Sequence, residues 1–125
     1  MNVQEDTAED LLGAFNEVER KKAPPKLYIS GDVGFLRTGA RVSIVGSRKP
    51  SQHGLEQAKH LAEHLATRGV VIVSGLAEGI DTIGHQVAIE TSGGRTIAVL
   101  GTPLDKTYPA SNQDLQQHIM RKNNK

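Results

Sequence analysis

Apolar positions follow two different rhythms along the chain. Over residues 6–22, Leu11, Leu12, Phe15 and Val18 recur at three- and four-residue spacing, which predicts one amphipathic helix with Asp6 or Thr7 as its cap. Ala23-Pro24-Pro25 ends it, because proline carries no amide hydrogen to continue the ladder. A short strand is expected over 26–30, at one side of the main sheet, followed by a loop that runs past Gly31, Gly34 and Gly39.

From Arg41 the rhythm changes. Val42, Ile44 and Val45 form a short β-branched run that ends at Gly46, the pattern of a strand buried in a parallel sheet. A helix is expected over 54–68, with Leu55, Ala58, Leu61, Ala62, Leu65 and Ala66 on one stripe and Gly69 as its stop. A strand over 70–73, a helix over 80–91 closed by Gly93-Gly94, a strand over 96–100 and a helix over 111–120 complete the series. Strands alternating with helices across short glycine-containing joints predict right-handed βαβ units. The expected fold is therefore α/β, a Rossmann-like three-layer sandwich with a mostly parallel sheet that stops after three or four strands. Its segments are 1–25, an N-terminal helix and linker; 26–120, the incomplete Rossmann-like domain; and 121–125, a polar tail. A sheet this small is expected to leave an edge uncovered.

Composition narrows the chemistry. At 125 residues the chain has room for one main core, and with 3% aromatic residues that core must be built from Val, Ile, Leu and Ala. The N-terminus is acidic where a signal peptide would be basic, and no run reaches the length of a membrane span, so a cytoplasmic protein without a membrane partner is expected. The lack of cysteine removes disulfides, thiolate metal sites and a thiol nucleophile. A formal net charge of +1 produces no global field that would draw in nucleic acid, so any such binding has to be local.

In open α/β sheets, ligands bind beyond the carboxyl ends of the strands, where helix N-termini converge. Three joints share that rim here: Gly46-Ser47-Arg48-Lys49, then 74–81, then the joint that begins at Gly101-Thr102-Pro103. At the first, Gly46 lets the backbone approach an anion, Ser47 offers a hydroxyl and Arg48 a planar donor fork matched to phosphate. Ser51, after Pro50, is placed to cap the helix that faces the same point. The alternative is a tight strand-to-helix turn with a solvent-facing arginine. The spacing is neither a dinucleotide fingerprint nor a nucleoside triphosphate loop. At the second joint, Asp81 is expected to cap its helix and hold the loop through backbone amides rather than face a phosphate it would repel.

Other chemistry has little support. His60 and His64 stand one helical turn apart without a third ligand on another element, which favours a solvated helix face over a metal. His85 is expected to be packed or capping, and His53 and His118 fall in no pattern. No nucleophile has a neighbouring base, so neither a catalytic residue nor a metal or cofactor is expected.

Taken in order, Ile44-Val45-Gly46-Ser47-Arg48, Ser74-Gly75-Leu76-Ala77-Glu78-Gly79-Ile80-Asp81 followed by Gly84-His85, and Tyr108-Pro109 with Asn112 and Leu115 resemble the motif series of the DprA/Smf family. The resemblance runs from about Tyr28 to Ile119. It implies an extended Rossmann domain that binds single-stranded DNA entering the cell in natural transformation, protects it and helps load the RecA recombinase. Carried over by residue, it implies a phosphate held by Gly46, Ser47, Arg48 and Lys49, in a pocket shaped by Ser74, Gly75, Gly79, Asp81, Tyr108 and Asn112. Two departures stand out. Glu78 occupies a position where many members carry arginine, and the family domain continues beyond the equivalent of Lys125 with further strands and a dimerisation surface.

Two other functions compete. A nucleotide-phosphate hydrolase of the lysine-decarboxylase-like type would need a P-G-G-x-G-T-x-x-E motif; Ser92-Gly93-Gly94-Arg95-Thr96 lacks its proline and glutamate. An interaction protein would use the uncovered sheet edge to form a homodimer or to pair with a full-length relative.

Overall fold

The computed structural model describes residues 3–31, 33–36 and 39–122. The chain opens with β1 (Gln4–Asp6), α1 (Ala8–Leu12), α2 (Glu17–Lys22) and β2 (Leu27–Ile29). Two expectations are corrected in this segment. The single helix expected over 6–22 is broken in two. Gly13 leaves α1 with a φ of 100°, and Asn16 starts α2 afresh through a capping box, its side chain accepting from the Glu19 amide while the Glu19 carboxylate accepts from the Asn16 amide. Thr7 does cap α1, accepting from the Asp10 amide. The strand expected over 26–30 pairs antiparallel with β1, Gln4 opposite Ile29 and Asp6 opposite Leu27, and does not join the main sheet.

The main sheet holds three parallel strands in the order β3 (Arg41–Ser43), β4 (Val71–Ser74), β5 (Thr96–Ala98). Pairing outlasts the formal strands: the Ile44 amide donates to Val73 O, and the Val99 amide to Ser74 O. Helix α3 (Gln52–Thr67) connects β3 to β4, and α4 (Ile80–Glu90) connects β4 to β5. Ser51 starts α3 by accepting from the Gly54 amide, and Gly69, at a φ of 76°, takes the left-handed turn that follows it. After β5 a loop leads through the 3-10 turn Ala110–Asn112 into α5 (Gln113–Lys122), which starts and ends two residues later than the helix expected over 111–120. The polar tail expected over 121–125 thus begins inside α5, and residues 123–125 lie outside the described residues.

The core is built as the composition requires. Ile44 and Ile72 from the sheet meet Ala62 and Ala66 of α3 and Val87 and Ala88 of α4, with Leu65, Ile80 and Ile83 packed around them. Burying a side chain such as Ile72, fully inaccessible here, contributes roughly 1.5–3 kcal/mol. The alanines on α3 and α4 keep the helices close to each other and to the strands. At the opposite end of the strands from the rim, the 3-10 turn Val33–Leu36 is tied down. The Arg41 guanidinium donates to Leu36 O, and the Arg95 guanidinium stacks over the Phe35 ring, 5.4 Å from its centre. Among the described residues, no helix is long and apolar enough to cross a membrane.

Candidate phosphate-binding rim

The joints after β3, β4 and β5 lie at one rim, and hydrogen bonds from backbone amides and polar side chains tie them together. In the first joint the Ser47 hydroxyl accepts from the Lys49 amide at 3.1 Å, closing a tight turn that presents Gly46, Ser47, Arg48 and Lys49 to solvent. Ser51 satisfies the third amide of α3, so the first two, those of Gln52 and His53, have no helical acceptor and supply positive potential beside the turn. Among the described residues neither Arg48 nor Lys49 has an ion-pair partner.

The second joint is pressed against the first. The Ile80 amide donates to Ser47 O at 3.2 Å, and Gly79, at a φ of 79°, passes so close that a Cβ there would stand 2.3 Å from Ser47 O. Gly46 meets the same helix start, since a Cβ on it would stand 2.9 Å from the Ile80 side chain. Both glycines are required by close approach, and no bulkier residue fits between the joints.

Asp81 holds the loop but does not cap its helix. Gly79 occupies the N-cap position without a side-chain hydrogen bond, and the Asp81 carboxylate instead accepts from the Gly75 amide at 3.0 Å. The capping half of the expectation is therefore corrected. The chain turns back at Leu76, which is fully buried with a φ of 64°. The Thr82 hydroxyl donates to Ala77 O at 2.7 Å.

The third joint is anchored from α5 and the turn before it. Asn112 Nδ2 donates to Leu76 O at 3.0 Å and to the Thr82 hydroxyl at 2.9 Å, joining residues far apart in sequence. Gln116 Nε2 donates to Leu104 O and Lys106 O, which fixes the loop leading to Tyr108. Sequence patterns did not point to Thr82 or Gln116 because their partners lie on other elements.

The ten residues expected to form the pocket thus divide into two sets. Gly46, Ser47, Arg48, Lys49 and Tyr108 are exposed on the rim, with Gly79 wedged beneath the first turn. Ser74, Gly75, Asp81 and Asn112 have polar groups already engaged inside the protein: the Ser74 hydroxyl donates to Ile44 O, tying β4 to β3, and the other three make the bonds described above. These four make internal bonds that hold the joints behind the exposed turn, because a buried polar group keeps the partner that satisfies it.

Between the first and third joints lies a cleft of about 70 Å³ lined by Arg48, Ala77, Glu78, Tyr108 and Pro109. A larger hollow of about 150 Å³ sits in the N-terminal segment among Thr7, Phe15, Arg20 and the two prolines. There the Arg20 guanidinium is neutralised by Glu9, at 3.0 Å, so that hollow offers a ligand no free charge.

His85 is packed in the core of α4. The Thr96 hydroxyl donates to Ile72 O and therefore accepts from His85 Nδ1, each at 2.7 Å, which places the ring proton on Nδ1. Nε2 is buried and has no hydrogen-bond partner among the described residues. Burial pushes the imidazole pKa down to about 4, against the opposing pull of the Asp81 carboxylate. Among the described residues, no group of three acidic, histidine or cysteine side chains is gathered to hold a metal ion.

Residues 13–124 match the family model for DNA recombination-mediator protein A. The chain is 43% identical over 97 residues to the DNA processing protein DprA of Streptococcus pneumoniae, covering 78% of this chain and 33% of that protein. It is 38% identical over 98 residues to DprA of Bacillus subtilis, again covering 78% and 33%. The chain thus spans about a third of the length of these relatives. Among solved structures, the X-ray structure of the S. pneumoniae protein superposes with a TM-score of 0.79 at 37% identity, over 93% of this chain and 40% of that one. DprA of Helicobacter pylori, solved for insight into its single-stranded DNA binding mode, gives a TM-score of 0.75 at 34% identity, over 94% of this chain and 52% of that one.

Proposed function

Because the chain belongs to the DNA recombination-mediator protein A family, we propose that it binds single-stranded DNA at this rim, with a backbone phosphate held by the Gly46-Ser47-Arg48 turn. One observation carries the reading: Arg48 and Lys49 are exposed cations without ion-pair partners among the described residues, next to the open amides of α3. Phosphate matches that set of donors, since a guanidinium fork and backbone amides bond its oxygens without reading sequence. The relative from H. pylori, similar over most of this chain, is a single-stranded DNA binder, which supports the same ligand.

In this reading Lys49 adds charge, Tyr108 borders the strand, and Ser74, Gly75, Gly79, Asp81 and Asn112 keep the joints in register. The role is binding and handover rather than catalysis, in the cytoplasm, during DNA uptake and recombination, with RecA as the recipient of the strand. The outer edge of β3 has no neighbouring strand among the described residues and is the place for a second copy or a longer relative to pair. Light scattering at several concentrations checks that pairing.

Fluorescence anisotropy with a labelled oligothymidine at low salt tests the proposal. Binding by the unaltered chain that is lost in Arg48→Ala supports it; no binding, or equal binding by the two proteins, overturns it.

A further inference from the structure

The cleft between the first and third joints combines three chemistries that a phosphate alone does not use. Its lining includes a cationic residue, Arg48, an aromatic one, Tyr108, which is 68% exposed, and an acidic one, Glu78, together with Ala77 and Pro109; Arg48 and Glu78 are exposed as well. Among the described residues Glu78 forms no ion pair, either with Arg48 or with any other cation. A carboxylate on the wall of a phosphate site repels the phosphate, so as part of a purely electrostatic grip Glu78 opposes binding. A ligand that carries an anion, a flat ring and a hydrogen-bond donor edge turns the same carboxylate into an attractive group.

We propose that this cleft is a base-reading subsite in which Glu78 selects guanine beside the phosphate gripped by Arg48. The proposal rests on the single-stranded DNA reading above and adds sequence preference to it. The ring of Tyr108 supplies a stacking face that any base accepts. Selection comes from the edge. Guanine presents a ring N–H and an exocyclic amine side by side, two donors matched to the two oxygens of a carboxylate. Cytosine and adenine each present one amine next to a ring nitrogen acceptor, so they offer one bond and one repulsive contact. Thymine flanks its single N–H with two carbonyl oxygens, both repelled by Glu78. The order of preference is therefore guanine, then cytosine and adenine, then thymine. Unpaired strands suit this mode, because their base edges are free of a complementary strand.

The test uses the full chain and labelled oligothymidines carrying either no substitution or a single central guanine or cytosine, titrated by anisotropy at low salt. The expected result is about tenfold tighter binding of the guanine oligonucleotide than of the all-thymine one, with cytosine between them. Glu78→Gln, an exposed substitution, is expected to bring the three within about twofold and to tighten binding of the all-thymine strand, because the repulsion is gone. Equal affinity for all three strands in the unaltered protein, or a guanine preference that survives in Glu78→Gln, overturns the subsite. If the strands bind alike and Arg48→Ala abolishes that binding, base reading fails while the phosphate grip stands. If no strand binds, both readings fall together.

Discussion

Gly79 and Ser47 lie in backbone contact: a Cβ on Gly79 would stand 2.3 Å from the Ser47 carbonyl oxygen, and the next amide, that of Ile80, donates to that same oxygen. The contact joins the turn after β3 to the start of α4, so the position of Arg48 depends on a residue 31 positions further along the chain. Gly79→Ala is expected to cost at least about 2–3 kcal/mol, since the side chain would meet backbone and the φ of 79° disfavours any residue but glycine. Urea denaturation checks this against Gly101→Ala, where none of the described residues lies within 4 Å of the added carbon and the change should stay within about 0.5 kcal/mol.

Asn112 is the buried tie between the second and third joints. Asn112→Ala removes the donors to Leu76 O and to Thr82 and leaves the Leu76 carbonyl enclosed without this partner. The expected loss is about 1–3 kcal/mol in chemical denaturation. Hydrogen exchange should also report faster opening of the 104–112 loop, which this side chain helps to anchor.

The neutral, buried His85 makes stability depend on pH with a definite sign. Its folded pKa of about 4 lies below the ordinary 6.5, so the unfolded chain takes up the proton first as pH falls. The contribution is complete above about pH 6.5, shrinks through the interval below it and is lost near pH 4, on the order of 3 kcal/mol in all. Urea midpoints at pH 7.5 and pH 5 measure it, with roughly 2 kcal/mol lost by pH 5. His85→Asn keeps a donor for Thr96 without the titration and should flatten that part of the profile.

Salt reports the number of phosphates engaged. With two or three held at the rim, the logarithm of affinity for oligothymidine should fall against the logarithm of salt concentration with a slope of about −1.4 to −2.1. Lys49→Ala is expected to make the slope shallower by about 0.7 without changing base preference. A slope unchanged by that substitution would place Lys49 outside the interface.

Much of the molecule was legible in short stretches of residues. The strand–helix alternation from Arg41 to α5, the Ser51 cap and the Gly69 stop all depend on neighbours within one helical turn or one strand, where periodicity and capping chemistry operate. The exposed Gly46-Ser47-Arg48-Lys49 turn belongs to the same class, because its geometry comes from a local hydroxyl-to-amide bond. Folding in three dimensions decided the remainder. It paired β2 with β1, committed Ser74, Gly75, Asp81 and Asn112 to internal bonds, and brought Glu78 to the cleft beside Tyr108. Asn112 and Leu76 are 36 residues apart, and whether a polar side chain faces a ligand or satisfies a distant carbonyl depends on which element packs against it.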